Sequence, residues 1–230
     1  MRKEHYFTRG ERILWGTSVT AILVSFFLFD RSNYLTLAAS LIGVTSLVLN
    51  AKGNPFGQLL MVIFSLLYGI ISYSFAYYGE MITYLGMTMP MAVFALVAWL
   101  SHPYEGKRLE VKVNKLKLPE IIAMCGVTVL VTILFFFLLE YFQTANLFLS
   151  TLSVTTSFVA VYLTFRRSPY FALAYAANDV ILILLWVSAS FQNMNYLSVV
   201  VCFAAFLVND LYGFVNWRRM KQRQERKKPS

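Results

Sequence analysis

Ala174-Tyr-Ala-Ala-Asn-Asp-Val-Ile-Leu-Ile-Leu-Leu-Trp186 lies inside an apolar run bounded by Pro169 and Gln192. The run is long enough to cross a bilayer as a helix. At its middle stand an amide and a carboxyl group, Asn178 and Asp179. Facing lipid without a partner, each would cost roughly several kcal/mol. Helical spacing puts Tyr175, Asn178 or Asp179, Leu182 and Trp186 along one stripe. A polar pair flanked by aromatics on a greasy helix points to a binding surface inside a bundle.

The rest of the chain repeats that apolar character. Of 230 residues, 58% are hydrophobic and only 13% charged, with a mean hydropathy of +0.61. A soluble domain carries about a quarter charged residues, so the chain reads as a polytopic membrane protein. The net charge of +9 invites a nucleic-acid role, but the basic residues sit at the termini and in loops between apolar runs. That is the pattern of positive-inside loops. The partner they imply is the lipid bilayer, not nucleic acid. The tail from Arg218 to Lys228 is expected to touch anionic lipid. Cys125 and Cys202 fall inside spans, fit neither a disulfide framework nor a metal site, and read as small packing residues. The first apolar run lacks a cleavage pattern and reads as a retained helix.

Eight spans emerge: about Ile13 to Phe29, Tyr34 to Leu49, Phe56 to Tyr78, Met81 to Leu100, Ile121 to Phe142, Asn146 to Phe165, Tyr170 to Phe191 and Tyr196 to Trp217. Pro90 is expected to kink the fourth. The polar stretch from His102 to Glu120 reads as a long loop. Lys and Arg concentrate on alternate connections, which places both termini in the cytoplasm. Spans two to four and six to eight form two three-helix units, each with a proline, Pro55 or Pro169, opening its middle helix. In that register the units match without a gap. Both begin on the outer side, so they are parallel repeats, and span five restores the orientation between them. The fold expected is an all-α integral membrane protein of 1+3+1+3 helices. Its divisions are an N-terminal segment and extra helix (1–32), a first unit (33–101), a loop and linker helix (102–142), a second unit (143–217) and a basic tail (218–230).

Asn178 and Asp179 read either as hydrogen-bonding groups for a substrate near the midplane or as ties to hydroxyls of span six, among Thr151, Ser153, Thr155, Thr156 and Ser157. For Asn178 we take the first reading. Adjacent residues cannot both face one cavity, so Asp179 stays open. Asn209 and Asp210, near the inner end of span eight, either close the path or tie a helix end. Tyr212 and Trp217 read as gate residue or interfacial aromatic. Tyr68, Tyr73, Tyr84, Trp99 and Trp186 could stack on a flat ligand, with Gln58 and Ser65 as first-unit partners of the Asn178 stripe. Phosphate loops and zinc motifs are absent, and His5 and His102 stand apart. The carboxylates do not cluster for metal or acid–base work. Nothing here implies an enzyme, a cofactor or a metal.

Arg166-Arg-Ser-Pro169, Tyr175-Ala-Ala-Asn-Asp179 and Asn209-Asp-Leu-Tyr-Gly-Phe-Val-Asn-Trp-Arg-Arg-Met220 resemble the PnuC family of bacterial nicotinamide riboside transporters, related in plan to the SWEET sugar transporters. The resemblance covers about Leu35 to Met220. It implies facilitated diffusion of a vitamin-like nucleoside across the bacterial inner membrane, with trapping by a cytoplasmic kinase. It also implies that homo-oligomers occur among such carriers. It gives Asn178 and Asn209 as matches to family asparagines, with Tyr175, Trp186, Asp179, Tyr68 and Gln58 about the ligand and Asp210 and Tyr212 at an inner gate. The chain departs at Ala174, where many members carry tryptophan, and near Phe64 and Met91, where first-unit asparagines are expected. Related branches take thiamine, riboflavin or deoxynucleosides. A membrane scaffold or sensor that transports nothing is the alternative from another class.

Overall fold

The computed structural model describes residues 6–74, 78–144 and 146–227. Eight helices are long and apolar enough to cross a membrane: α1 Arg9–Phe29, α2 Tyr34–Ala51, α3 Pro55–Ser74, α4 Tyr78–Leu100, α5 Leu118–Tyr141, α6 Leu147–Phe165, α7 Phe171–Ser190 and α8 Leu197–Arg226, the last preceded by a 3-10 turn at Met194–Tyr196. The eight-span fold is the one the sequence implies. Phe75 to Tyr77, over which the third span was expected to run, and Lys228 in the tail lie outside the described residues.

The departures have local causes. The first helix begins at Arg9, earlier than its apolar residues suggest, because Thr8 and Glu11 form a capping box. Thr8 Oγ1 accepts from the Glu11 amide at 3.2 Å, and Glu11 Oε2 accepts from the Thr8 amide at 2.7 Å. In α4 the expected kink takes the form of a π-helical stretch at Thr83–Thr88, just before Pro90. Proline has no N–H to donate to the preceding turn, and the widened turn absorbs the mismatch. The long loop is partly ordered as a β-ribbon, β1 Pro103–Tyr104 with β2 Lys107–Val111. The basic tail stays helical to Arg226 because it docks on that ribbon. Buried Gln224 accepts from the Val113 amide at 2.9 Å and donates to the Val111 carbonyl at 3.0 Å.

Six helices form a ring. Within each unit neighbours in sequence pack together, α2 on α3 on α4 and α6 on α7 on α8. The ring closes where the first helix of each unit meets the third helix of the other, α2 on α8 and α4 on α6. Helix α1 covers α2 and α8, and α5 packs on α6. The α5 helix is the most apolar, at a mean hydropathy of 2.8, and the least buried, so its surface faces lipid.

One end of the bundle holds the start of α1, the end of α8 and the basic connections; we call it the basic end. There the two inter-helix turns are built alike. Gly53 (φ 68°) and Arg167 (φ 55°) take the left-handed conformation at the corresponding place in each unit. The side chains one residue on, Asn54 and Ser168, accept from the amides two residues further along. The loop after α4 lashes both turns: Val111 N–H donates to the Gly53 carbonyl at 3.0 Å, and Asn114 N–H to the Arg167 carbonyl at 3.1 Å.

Helices α2 and α3 approach most closely at Gly57. A Cβ there would stand 2.2 Å from Asn50 Oδ1 and 2.7 Å from its backbone nitrogen. Gly57→Ala is expected to destabilise the bundle by about 1–3 kcal/mol and to lower the thermal unfolding midpoint in detergent. Gly16→Ala, with nothing within 4 Å of the added atom, should leave it unchanged. Equal midpoints for the two variants would refute the tight α2–α3 contact.

Candidate functional site

A cavity of about 130 Å³ opens at the end opposite the basic one. Its rim is polar and comes from connections: Asp30, Asn33, Asn193 and Asn195. Its floor is aromatic, made by Tyr68 of α3 and Trp186 of α7, one from each unit. Trp186 also meets Tyr196, with ring centroids 5.3 Å apart. Below, Tyr68 lies 4.5 Å from the Tyr84 ring and 5.5 Å from the Phe64 ring. Burial of the Asp30 carboxyl raises its pKa above the usual aspartate value, against hydrogen bonds from Asn33 and Ser32 that lower it.

Deeper in the ring, several buried oxygens have no hydrogen-bond donor among the described residues: Ser65 Oγ, Asp179 Oδ2, Asn209 Oδ1 and Glu80 Oε2. Ser65 and Asp179 occupy matching places after Pro55 and Pro169. Asp179 of α7 and Asp210 of α8 are both buried and lie close to one another. Unpaired buried oxygens are costly in a bilayer and mark where polar ligand atoms could be received. No Lys or Arg is buried among the described residues, so this interior is rich in acceptors and without fixed cations.

The other expected site residues divide by depth. Asn178 is buried, and its Oδ1 accepts from Ser153 Oγ at 3.1 Å and Thr156 Oγ1 at 3.0 Å of α6. Its oxygen is thus held by the neighbouring helix, which leaves its N–H groups as what it can offer a ligand. Position 64, which matches Asn178 in the first unit, is Phe64, and Phe64 packs on Phe206. Trp186 and Tyr68 share the cavity. Tyr175 does not: eleven residues before Trp186, it lies about 16 Å away along α7 and packs on Phe171 in the cluster at the basic end. Gln58 is also remote, donating to Asn50 Oδ1 at 2.8 Å near the basic end. Asn209 donates to Ser18 Oγ at 2.9 Å and ties α8 to α1. Tyr212 donates to Glu11 Oε1 at 3.0 Å, again fastening α1.

The barrier at the basic end is aromatic and symmetric. Trp99, near the end of α4, donates from Nε1 to the Thr164 carbonyl of α6 at 2.9 Å. Trp217 of α8 donates in the same way to the Asn50 carbonyl of α2 at 2.7 Å. These two bonds cross the two contacts that close the ring. The two indoles meet with centroids 5.3 Å apart, and Phe171 lies 4.9 Å from Trp217. Both tryptophans are fully buried, so Trp217 is not the interfacial aromatic that its place near a helix end suggested. Sequence reasoning missed the pairing, although the signal was there: a tryptophan near the inner end of the third helix of each unit. It also missed the rim asparagines, which read only as connection residues.

A ring of membrane-length helices with a small recess at one end and a closed aromatic seal at the other has the plan of a membrane transporter. The chain belongs to the family described as nicotinamide mononucleotide transporter, whose sequence profile matches residues 33–219. It is similar to the nicotinamide riboside transporter PnuC of Neisseria mucosa, with 27% identity over 91% of this chain and 81% of that one. It is also similar to the nicotinamide riboside transporter PnuC of Haemophilus influenzae, with 22% identity over 83% of this chain and 82% of that one. A crystal structure of the vitamin B3 transporter PnuC superposes with a TM-score of 0.81 at 25% identity, covering 95% of this chain and 94% of the other.

The seal makes a prediction of its own. In a double-mutant cycle, Trp99→Phe and Trp217→Phe should show a coupling of about 0.5–1.5 kcal/mol in unfolding free energy, as expected of an interacting aromatic pair. Strict additivity would mean that the two indoles act separately.

Proposed function

We propose that this chain carries nicotinamide riboside across the bacterial inner membrane by facilitated diffusion, with the basic end and both termini in the cytoplasm. The observation that carries the reading is the Trp186–Tyr68 floor, set above an interior rich in oxygen acceptors and without buried cations. Nicotinamide riboside has a flat, positively charged pyridinium ring, a carboxamide and ribose hydroxyls. The ring suits aromatic faces, which attract cations as well as stack. The amide N–H groups and hydroxyls suit the unpaired oxygens of Ser65, Asp179 and Asn209. The family description names the mononucleotide, whereas the two relatives are named for the riboside. The site's chemistry favours the riboside, because a phosphate would meet carboxyl groups and no Lys or Arg.

The cavity's 130 Å³ falls short of the about 300–1,000 Å³ of a full ligand pocket. It admits a ring, and the rest of the nucleoside needs the floor to part. Below the floor the Trp99–Trp217 seal must open in turn. On this reading net uptake follows the gradient, and phosphorylation by a cytoplasmic kinase would keep that gradient inward. Asn178 contributes by holding α6 to α7 beneath the cavity and by presenting its N–H groups. The basic loops, on this reading, face the cytoplasmic leaflet.

Calorimetry on purified protein tests the ligand. Nicotinamide riboside should bind, nicotinamide mononucleotide should compete for the riboside site at least about tenfold more weakly, and Trp186→Ala should weaken riboside binding by about 1–3 kcal/mol. Heat from thiamine with none from nicotinamide riboside would sink the assignment. The rim gives a pH test. Asp30 is ionised above its raised pKa and favours a cation at the mouth only then. Riboside affinity should therefore fall as the pH drops from about 7 to about 4. Asp30→Asn should flatten that part of the profile, and an unchanged slope in the variant would remove Asp30 from the site.

A further inference from the structure

A second cavity, of about 820 Å³, opens at the basic end. Its walls come from Tyr6 to Glu11, Lys52, β2 and the last turns of α8. Five cations line it, Lys52, Lys107, Arg108, Arg219 and Arg223, against two carboxylates, Glu11 and Glu110. Both carboxylates are taken. Glu11, with a side chain only 2% exposed, pairs with Lys52 at 3.0 Å, and Glu110 pairs with Arg223. Lys107, Arg108 and Arg219 have no carboxylate partner among the described residues. Three unpaired cations converge on one concave surface, beside the Tyr6 ring and the Tyr212 side chain.

We propose that this cavity binds a phosphate-bearing anion and that its occupancy holds the aromatic seal shut. Guanidinium and ammonium groups are the side chains that receive phosphate oxygens. The volume suits a mononucleotide, and the same chemistry would accept the headgroup of an anionic lipid. The link to the seal is direct. Met220 lines the cavity and belongs to the cluster of Trp99, Trp217 and Val111. Val111 is on β2, whose Lys107 and Arg108 supply two of the free cations. An anion gripped by β2 and Arg219 of α8 therefore clamps the ribbon to the helix that carries Trp217. A ligand bound better by the closed arrangement slows opening by linkage. The ligand's source rests on reading the basic end as cytoplasmic: a phosphorylated form of the carried nucleoside would collect on that side and restrain further uptake.

The test uses the full chain in nanodiscs of phosphatidylcholine alone. A nucleoside 5′-monophosphate and inorganic phosphate are titrated by calorimetry at low and high salt. The wild-type chain should bind the monophosphate, more weakly at high salt. Lys107→Gln, Arg108→Gln and Arg219→Gln together should weaken it at least tenfold while nicotinamide riboside binding persists, which reports that the variant is folded. Should the triple variant not fold, Arg219→Gln alone should show a partial loss. In proteoliposomes, monophosphate on the basic side should slow riboside exchange in the wild type and not in the variant. A parallel arm adds phosphatidylglycerol. If that lipid alone slows exchange, and only in the wild type, the phosphate is a headgroup. Equal monophosphate binding in wild type and variant, or no response to monophosphate, phosphate or phosphatidylglycerol, overturns the proposal. Wild-type protein that binds the monophosphate and never the riboside would refute the substrate reading and leave this site standing.

Discussion

Two indole N–H groups close the ring. Each is a donor that would be stranded in an apolar interior, and each finds the carbonyl at the end of a helix in the opposite unit. Each carbonyl also accepts from the turn beside it, Asn50 from Gly53 N–H and Thr164 from Arg167 N–H, both at 2.9 Å, so the indole takes up a second lone pair at a helix end. Because Trp99 reaches from the first unit to α6 and Trp217 from the second to α2, neither unit can tilt at the basic end without losing one of them. The turns beside them are pinned by the ribbon through Val111 and Asn114. The cavity lies at the far end, away from these two bonds.

That arrangement explains the division of labour along the ring. At the basic end side chains tie the elements together: Gln58 on Asn50, Tyr212 and Lys52 on Glu11, Gln224 on the ribbon. Toward the middle buried oxygens lack donors, as Ser65, Asp179 and Asn209 show. Satisfied groups stiffen, whereas unsatisfied ones are a standing cost that a ligand can relieve. The α5 linker bridges both units: Leu139 and Phe135 share a cluster with Met87 of α4 and Val154 of α6, and Met124 packs against the Trp99–Trp217 cluster. Its remaining surface faces lipid.

The fold was legible in the sequence because lipid imposes simple rules. Long apolar runs, alternating basic connections and two matching prolines gave the helices and the two-unit plan. What was not legible depended on distance in three dimensions. The order of the β-ribbon and of the tail follows from Gln224 meeting residues a hundred positions earlier, which no local pattern announces. Asn178 and Trp186 drew notice as polar and aromatic exceptions on a greasy helix, and Trp186 does line the cavity. Tyr175 shares their stripe yet ends in the other cluster, because a stripe runs the length of a helix and a cavity occupies only part of it. Asn33 and Asn193 were passed over because loop asparagines are common. Trp99 and Trp217 were noticed singly, and only their reciprocal bonds show what they do.

The place where Asn178 has Phe64 as its counterpart carries a further consequence. The backbone is two-fold in plan, but the chemistry facing the path is not: one wall is aromatic, and the other presents an amide and carboxyls. A passage lined in this way has a handedness of its own. A molecule with a polar edge and a flat apolar face would travel through it like a key in a keyway, its edge held toward α7 from one leaflet to the other. Discrimination among flat cations then depends less on the size of the recess than on whether a ligand's polar groups all lie along one side.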